Sequence, residues 1–534
     1  MPGCIFFGKR ISGPFTIPSG IAMTQAQAIE RLAREIPELG ILTTKSIGPE
    51  PKEGNKDPII AQYDEQGLSF VNAVGLANPG SEAFAAQLSI ISLPPDRFLL
   101  ASIFGSTPDE ISKVTRDLSP HADGFELNVS CPHSRRYGQV CGQDPSLVNA
   151  LTEAAAKEGK PVLVKLSPNL EPELVVQAAL KGGAAGFVAI NTKGPIRLEH
   201  DGFPVLSNTV GGISGKAILP AGVAYVKRLR QLTELPIIAC GGISSAEDVQ
   251  AYKEAGAQFF GVGSALAGMS TQQAKAYFSA FSQDLAQGTA TAKAFLHEST
   301  MQYEKFVISE NEQLAPDLSL LTLDHGFSIR PGQFVFVWLP GAGEKPYAVF
   351  DDQPCKILVQ KRGLVSGRLS DLKPKDDLYL RGPYGNPVEP KGTAILVAGG
   401  SGIAAMALFL KRYPDCVAFF GGRTKEHLSC VEHIKTRCRM HLATDSGEVG
   451  FKGLVTQLLA KELPSLKPGL CLNAGPEPMI REAIRIEQRS LPPERILSSV
   501  EFRTMCGNGL CGRCATSKGL RSCVDGTFLN PDAL

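Results

Sequence analysis

The chain has 534 residues, 20% of them charged, with a formal net charge of +1. That length suits three or four domains, and the balanced charge excludes bulk electrostatic attraction to nucleic acid or an anionic surface. The start, "MPGCIFFGKRISGPF", lacks the long apolar run of an export signal. The longest apolar stretch, "ILVAGGSGIAAMALFL" (395–410), is short for a membrane span and carries three glycines. A soluble, cytoplasmic protein is the expectation.

From the N-terminus, "TQAQAIERLAREIPELG" predicts a helix capped by Thr24 and stopped at Gly40. Strand patterns follow in "ILTTKS", "LLASIF", "GFELNVS", "PVLVKLS", "GFVAINT", "PIIAC" and "FFGVGSA", several separated by helices such as "EPELVVQAALKGG" and "SSAEDVQAYKEAGA". This βα repetition predicts parallel strands, in either a (β/α)8 barrel or a doubly wound sheet. Polar or glycine residues recur where the apolar runs stop: Lys45, Asn128 with Cys131, Lys165, Asn191 with Thr192, Gly241 with Gly242, and Gly263 with Ser264. A barrel gathers all its strand ends at one rim, whereas a doubly wound sheet uses those near its switch point, so the pattern favours the barrel. The last two glycine turns suit a phosphate held by backbone N–H groups. Cys131, before Pro132 at a strand end, can be base, nucleophile or inert core thiol. Nearby Asn128, Lys165 and Asn191 suit a planar heterocycle with carbonyl edges.

Beyond "AFLHESTMQYEKF" (294–306) the pattern changes to short alternating strands, "SLLTLD", "QFVFVWL", "CKILVQKR" and "DDLYLRGPYG", which predict a small antiparallel barrel. Then "TAILVAGGSGIAAMALFLKR" reads as strand, glycine turn and helix, a turn that can seat a dinucleotide phosphate but is a weak signal alone. "CVAFFGGRTKEHL", "HLATDSG" and "LNAGPEPMIREA" continue a doubly wound sheet. No acidic residue there marks NAD over NADP, and Arg423 suits a 2′-phosphate.

Near the end, Cys506, Cys511, Cys514 and Cys523 are spaced C-x4-C-x2-C-x8-C, with Gly507, Gly509 and Gly512 between them. In a reducing compartment such a cluster points to a metal or redox site. Zinc sites favour two short pairs, whereas this spacing follows the plant-type [2Fe–2S] signature. A cluster of that kind moves single electrons, so donors and acceptors belong in the rest of the chain.

"TKS" (44–46), "VNAVGLANPG" (71–80), "NVSCP" (128–132), "VKLSPN" (164–169), "INT" (190–192), "GGISGKAILP" (211–220) and "IIACGGISSAEDV" (237–249), in this order, resemble the dihydroorotate dehydrogenases. The resemblance implies a (β/α)8 TIM barrel with FMN at its rim, over 1–290. Cys131 would be the base that takes a proton from dihydroorotate, with Lys165 facing the flavin's N1–C2=O side. Lys45, Asn72, Asn128, Asn191, Thr192 and the backbone of Val74, Gly75 and Leu76 would hold the substrate. Ser19, Gly20, Lys45, Ser46, Asn128, Lys165, Gly215, Gly241, Gly242, Gly263 and Ser264 would hold FMN. One departure is His133 where that family usually has Asn. "SCPH" with "CGQDP" resembles the dihydropyrimidine dehydrogenases, which would make the substrate a uracil or thymine.

"RPGQFVFVWLP", "KPYAVF" and "LRGPYGNPV" resemble the ferredoxin-reductase family, implying an FAD-binding β-barrel over 300–390 and an NAD-binding α/β domain over 391–495. Lys345, Pro346, Tyr347 and Ser366 would contact FAD, with Lys345 and Ala348 standing where that family has Arg and Ser. Gly399, Gly400 and Gly402 would contact NAD. "SSVEFRTMCGNGLCGRC" resembles the iron–sulfur tail of the electron-transfer subunit that accompanies the NAD-dependent dihydroorotate dehydrogenases, implying a small [2Fe–2S] domain over 496–534 with Cys506, Cys511, Cys514 and Cys523 as ligands. The resemblance therefore implies both subunits fused in one chain, oxidising (S)-dihydroorotate in pyrimidine biosynthesis, electrons passing from FMN by the cluster and FAD to NAD. A dimer through the barrel follows from the same resemblance.

Overall fold

The computed structural model describes residues 4–65, 67–129, 142–297, 301–500 and 503–534. The chain divides into two compact units, the first comprising 1–301 with 508–519 and the second 302–507 with 520–534.

The first unit is built on eight strands: β1 (Phe15–Thr16), β2 (Ile41–Thr43), β3 (Phe98–Ile103), β4 (Gly124–Asn128), β5 (Val162–Leu166), β6 (Gly186–Ala189), β7 (Ile237–Cys240) and β8 (Phe259–Gly261). From β2 to β8 each pairs in parallel with its neighbour in sequence, β8 pairs with β1, and a parallel bridge from Phe15 to Leu39 brings β1 back to the start of β2. The result is a nearly closed parallel barrel. β3 to β7 are buried along their whole length, as strands covered on both faces must be. Seven of the eight coincide with the apolar runs read from the sequence, β3 with a one-residue offset; the two-residue β1 is too short to leave a pattern.

Helices cover the outside. Pro108–Leu118 starts with Thr107 accepting from Glu110 N–H and proline in the first turn, and Ala246–Glu254 starts with a Ser245/Asp248 capping box. The helix expected from Thr24 to Gly40 is shorter, Ala26–Glu35, with Gln25 at its N-cap. Thr24 does not cap it, because its hydroxyl donates to the Gly512 carbonyl at 3.1 Å.

A hairpin, Cys4–Phe6 with Lys9–Ile11, closes the amino end of the barrel. Phe6 packs edge-on against Phe98 and Phe259, at 4.8 and 4.5 Å between ring centres, above a core containing Leu100, Leu163, Val188 and Ile238. The accessory strands Ile60–Gln62, Ser69–Asn72, Lys193–Arg197 and Val210–Gly215 form a second, antiparallel sheet of four. The first two residues of "VNAV" end a strand of this sheet.

In the second unit, seven strands form an antiparallel sheet: β9 (Glu304–Ala315), β10 (Leu318–Leu323), β11 (Phe334–Leu339), β12 (Gly343–Tyr347), β13 (Val349–Asp352), β14 (Cys355–Gln360) and β15 (Asp377–Tyr384), in the order β12-β11-β15-β9-β10-β14-β13. Six further strands, β16 (Ala394–Gly399), β17 (Val417–Gly422), β18 (Arg439–Thr444), β19 (Phe451–Lys452), β20 (Leu470–Ala474) and β21 (Ile496–Ser499), are all parallel, ordered β19-β18-β17-β16-β20-β21. The order reverses between β16 and β20, the switch point of a doubly wound sheet. Among the described residues no helix is long and apolar enough to cross a membrane.

Leu163 is fully buried in the barrel core. Leu163→Ala removes its side chain without room for collapse and is expected to cost about 2–5 kcal/mol, read as a lowered urea midpoint by circular dichroism; an unchanged midpoint would contradict this packing.

Candidate active site

The carboxyl ends of the barrel strands open into a cavity. Its lining takes in Ser19, Gly20, Lys45, Ser46, Asn72, Val74, Gly75, Leu76, Asn128, Lys165, Asn191, Thr192, Gly215, Gly241, Gly242, Gly263 and Ser264. Lys45, Asn128, Lys165, Asn191, Thr192, Gly241, Gly242, Gly263 and Ser264 are expected from the strand ends and the others from the family resemblance; the parallel barrel brings them together at one rim. Cys131 and His133 lie within 130–141, outside the described residues.

The floor carries a buried ion pair. Glu126 and Asn128 are two apart on β4 and so share a face. Lys165 on β5 points the same way, and its ammonium lies 3.4 Å from Glu126 Oε1, both side chains 5% exposed or less. Glu126 contacts the site and was not read as a site residue from the sequence. Its signal was a lone carboxylate inside "GFELN", where a buried charge requires a partner.

Serine hydroxyls link this pair to the cavity wall. Ser102 Oγ donates to Glu126 Oε1 at 2.7 Å. Ser46 Oγ is 2.9 Å from Ser102 Oγ, 3.0 Å from Ser19 Oγ and 3.1 Å from Asn128 Nδ2. Each hydroxyl has one proton, so the order is fixed: Ser19 donates to Ser46, Ser46 to Ser102, Ser102 to the carboxylate. Asn128 also donates to Ser46, which sets its amide orientation and turns its carbonyl oxygen away from that serine.

Other groups are braced by backbone. Asn191 Oδ1 accepts from Thr192 N–H at 2.8 Å, and Asn72 Nδ2 donates to the Gly212 carbonyl at 3.2 Å. The Val74 carbonyl accepts from Asn55 N–H at 3.0 Å. Lys45 is largely buried, and a Cβ built on Gly20 would stand 3.4 Å from its ammonium nitrogen.

At the carboxyl end of β7, Gly242 has φ +79°, and a Cβ there would lie 2.8 Å from the Gly215 carbonyl oxygen. Glycine is thus required twice over, by conformation and by the approach of two turns. Asp248 pins this region, accepting from Ser244 and Ser245 N–H and from Lys216 at 2.9, 3.1 and 2.6 Å. Cys240, at the end of β7, also lines the cavity. Burial pushes its thiol up to about 12, with Lys165 opposing and Glu126 adding to the shift.

Leu510 and Cys511 line the same cavity. Their stretch belongs to the first unit: Ala22 N–H donates to the Leu510 carbonyl at 2.8 Å, and Gly268 N–H to the Asn508 carbonyl at 2.8 Å. Cys506, Cys511, Cys514 and Cys523 are all buried. Among the described residues no group of three or more His, Cys, Asp or Glu side chains is gathered to hold a metal ion.

In the second unit, Lys345, Pro346 and Tyr347 lie on the edge strand β12, where burial pushes the Tyr347 phenol up. Ser366 sits in the helix Leu364–Ser370, its hydroxyl accepting from Arg362 and Gly363 N–H at 2.9 and 3.0 Å. Gly399, Gly400 and Gly402 form the turn from β16 into the helix Ile403–Arg412, at the carboxyl end of the switch-point strand.

A parallel barrel whose carboxyl rim holds a largely apolar cavity with a few convergent polar groups is the architecture of an enzyme. The family described as dihydroorotate dehydrogenase matches residues 4–276, just over half of the 534 residues. The chain belongs to this family and is an oxidoreductase. It is 42% identical over 264 residues to the dihydroorotate dehydrogenase B (NAD(+)) catalytic subunit of Methanosarcina mazei, covering 48% of this chain and 82% of the relative. The catalytic subunits of the same name from Methanocella arvoryzae and Pyrococcus horikoshii are 38% and 39% identical over 269 and 263 residues, 49% of this chain in both cases and 86% and 84% of the relatives. A solved structure of an NADH-dependent reduced ferredoxin-NADP oxidoreductase aligns with TM-score 0.40 at 28% identity, over 43% of this chain and 88% of that one.

Lys165→Met leaves Glu126 buried without its counter-charge and is expected to destabilise by about 3–5 kcal/mol, whereas Lys165→Met/Glu126→Gln recovers most of the loss; thermal unfolding of both variants checks this. A thiol held near 12 stays protonated at pH 8. Cys240 should therefore resist iodoacetamide in the native protein, and alkylation found there by mass spectrometry would contradict its burial.

Proposed function

We propose that the chain oxidises (S)-dihydroorotate to orotate and passes the electrons to NAD, as a fusion of catalytic and electron-transfer parts. Family membership together with the rim cavity, where Lys45, Asn72, Asn128, Lys165 and Asn191 meet, carries this reading. Amides and an ammonium match the carbonyl and N–H edges of a pyrimidine and its carboxylate.

FMN fits the barrel: the turns at Gly215 and Gly242 approach so closely that a Cβ would fill the gap, and Gly241, Gly263 and Ser264 border the same space. In the second unit FAD would be held by Lys345, Pro346, Tyr347 and Ser366, and NAD by Gly399, Gly400 and Gly402 at the switch point, where doubly wound sheets take dinucleotides. A [2Fe–2S] cluster takes four thiolates, two to each iron, rather than donors gathered around one ion. The donor set fits in kind: Cys506, Cys511, Cys514 and Cys523 are buried, with Gly507, Gly509 and Gly512 at φ +81°, +77° and +64° between them. Bound, FMN would accept the hydride, and the cluster and FAD would carry its electrons to NAD.

The chain's own part is proton control and positioning. Cys131, as base, would take the proton from C5 while hydride leaves C6, so that dihydroorotate and NAD give orotate, NADH and a proton. Asn128 and Asn191 orient the ring. Lys165 places a positive charge where the flavin ring becomes electron-rich, and Glu126 with its serine chain keeps that ammonium in place. Dimerisation in the cytoplasm belongs to the same proposal.

Cys131→Ala should lower turnover of dihydroorotate with NAD by about 10²–10⁴-fold; full activity would remove the base assignment. Cys511→Ser should abolish NADH formation yet leave flavin bleaching by dihydroorotate, and NADH at the normal rate would sink the relay. Orotate should inhibit competitively where uracil does not. Inhibition by uracil alone would favour the pyrimidine-reducing reading that His133 raises.

A further inference from the structure

The second unit buries an ion pair that none of the cofactor roles above uses. Arg381 on β15 is 1% exposed and Glu344 on β12 is 0% exposed. The guanidinium meets the carboxylate as a fork, Nε to Oε2 and Nη2 to Oε1, both at 2.6 Å. The Tyr303 hydroxyl donates to the same carboxylate, and burial beside that negative charge raises its pKa, keeping the proton on. The guanidinium lies over the Phe336 ring, 4.1 Å from its centre.

What remains of the fork is turned to the cysteine run. Arg381 Nη1 donates to the Cys506 carbonyl at 2.9 Å and to the Tyr384 hydroxyl at 2.6 Å, and Nη2 stands 3.5 Å from the Met505 carbonyl. Cys506 is itself 1% exposed. Gly507, at φ +81°, would bring a Cβ within 2.8 Å of the Tyr384 ring. Residues 505–507 are therefore held on Arg381 and Tyr384.

A buried pair adds little stability over well-packed apolar residues, because desolvation offsets the attraction. This pair has a polarity, however. Its positive end faces Cys506 and its negative end faces Tyr303. On the reading that Cys506 binds the cluster, we propose that Arg381 is a positioning residue that fixes the Cys506 backbone and raises the cluster's reduction potential, with Glu344 holding the guanidinium in place. Reduction adds one negative charge near the ligands, and a buried cation hydrogen-bonded beside one ligand favours that state. Net charge, hydrogen bonding and exposure are the protein's means of setting such potentials.

The test uses the full chain, reconstituted anaerobically with iron and sulfide, as wild type, Arg381→Lys and Arg381→Met/Glu344→Gln. The double variant leaves no unpaired charge; the lysine variant keeps the charge and loses the fork. Iron, sulfide and flavin contents are measured, with the cluster potential by EPR-monitored titration. The double variant should keep its flavins and cluster while the one-electron equilibrium shifts about tenfold toward the oxidised form, about 59 mV downward. Arg381→Lys should fall between. Loss of iron with both flavins retained would likewise support positioning of Cys506. An unchanged potential in both variants with the cluster present would reduce the pair to core packing and overturn the proposal. A wild-type chain that binds no iron or sulfide would instead overturn the cluster reading, and this inference with it.

Discussion

All eight barrel strands run in one direction, so all eight carboxyl ends open on one rim. The site depends on that constraint. A parallel strand buried on both faces has room for polar side chains chiefly at its end, so apolar runs terminating in Lys45, Asn128, Lys165 and Asn191 deliver those groups to one cavity. The accessory sheet adds Asn72, and the loop after it adds Val74, Gly75 and Leu76, from outside the barrel. Burial then gives the groups their meaning. An ammonium this deep is tolerated because Glu126 faces it, and the carboxylate is tolerated because Ser102 completes its hydrogen bonding.

The second unit uses the same physics in another place. Arg381 and Glu344 form a fork whose spare donor reaches a main-chain carbonyl in the cysteine run. In the floor of the barrel the pair's cation faces a cavity; on β15 it faces backbone. In both cases a carboxylate fixes where a positive charge points, and that direction, rather than net stability, is what the pair contributes.

Much of this was legible in the sequence, for identifiable reasons. Strand ends in a barrel are marked by an abrupt change from Val, Leu and Ile to Lys, Asn or Gly, and six such changes located the rim. The glycine turn 399–402 stood out because a strand and a helix flank it. What escaped depended on contacts across sequence. Glu126 reads as a stray charge until Lys165 is placed 3.4 Å away. Thr24 has the chemistry of a cap, but a carbonyl 488 positions later takes its hydrogen bond. Glu344 and Arg381 each sit beside a recognisable motif, and neither stretch alone announces the other. The strands β9, β12 and β13 were missed because charged residues dilute their alternation: exposed ones in β9, as the outward face of an antiparallel sheet allows, but in β12 a buried Glu344 that is tolerated only because Arg381 meets it.

The cavity is proposed to oxidise dihydroorotate and the same chain to carry the electrons to NAD. Anaerobic mixing of the flavin- and iron-loaded chain with dihydroorotate, followed by absorbance, tests this proposal most directly. Flavin bleaching on mixing and NADH when NAD is then added are expected, with uracil inert. Silence with dihydroorotate, joined to oxidation of reduced nicotinamide by uracil, would contradict the proposal.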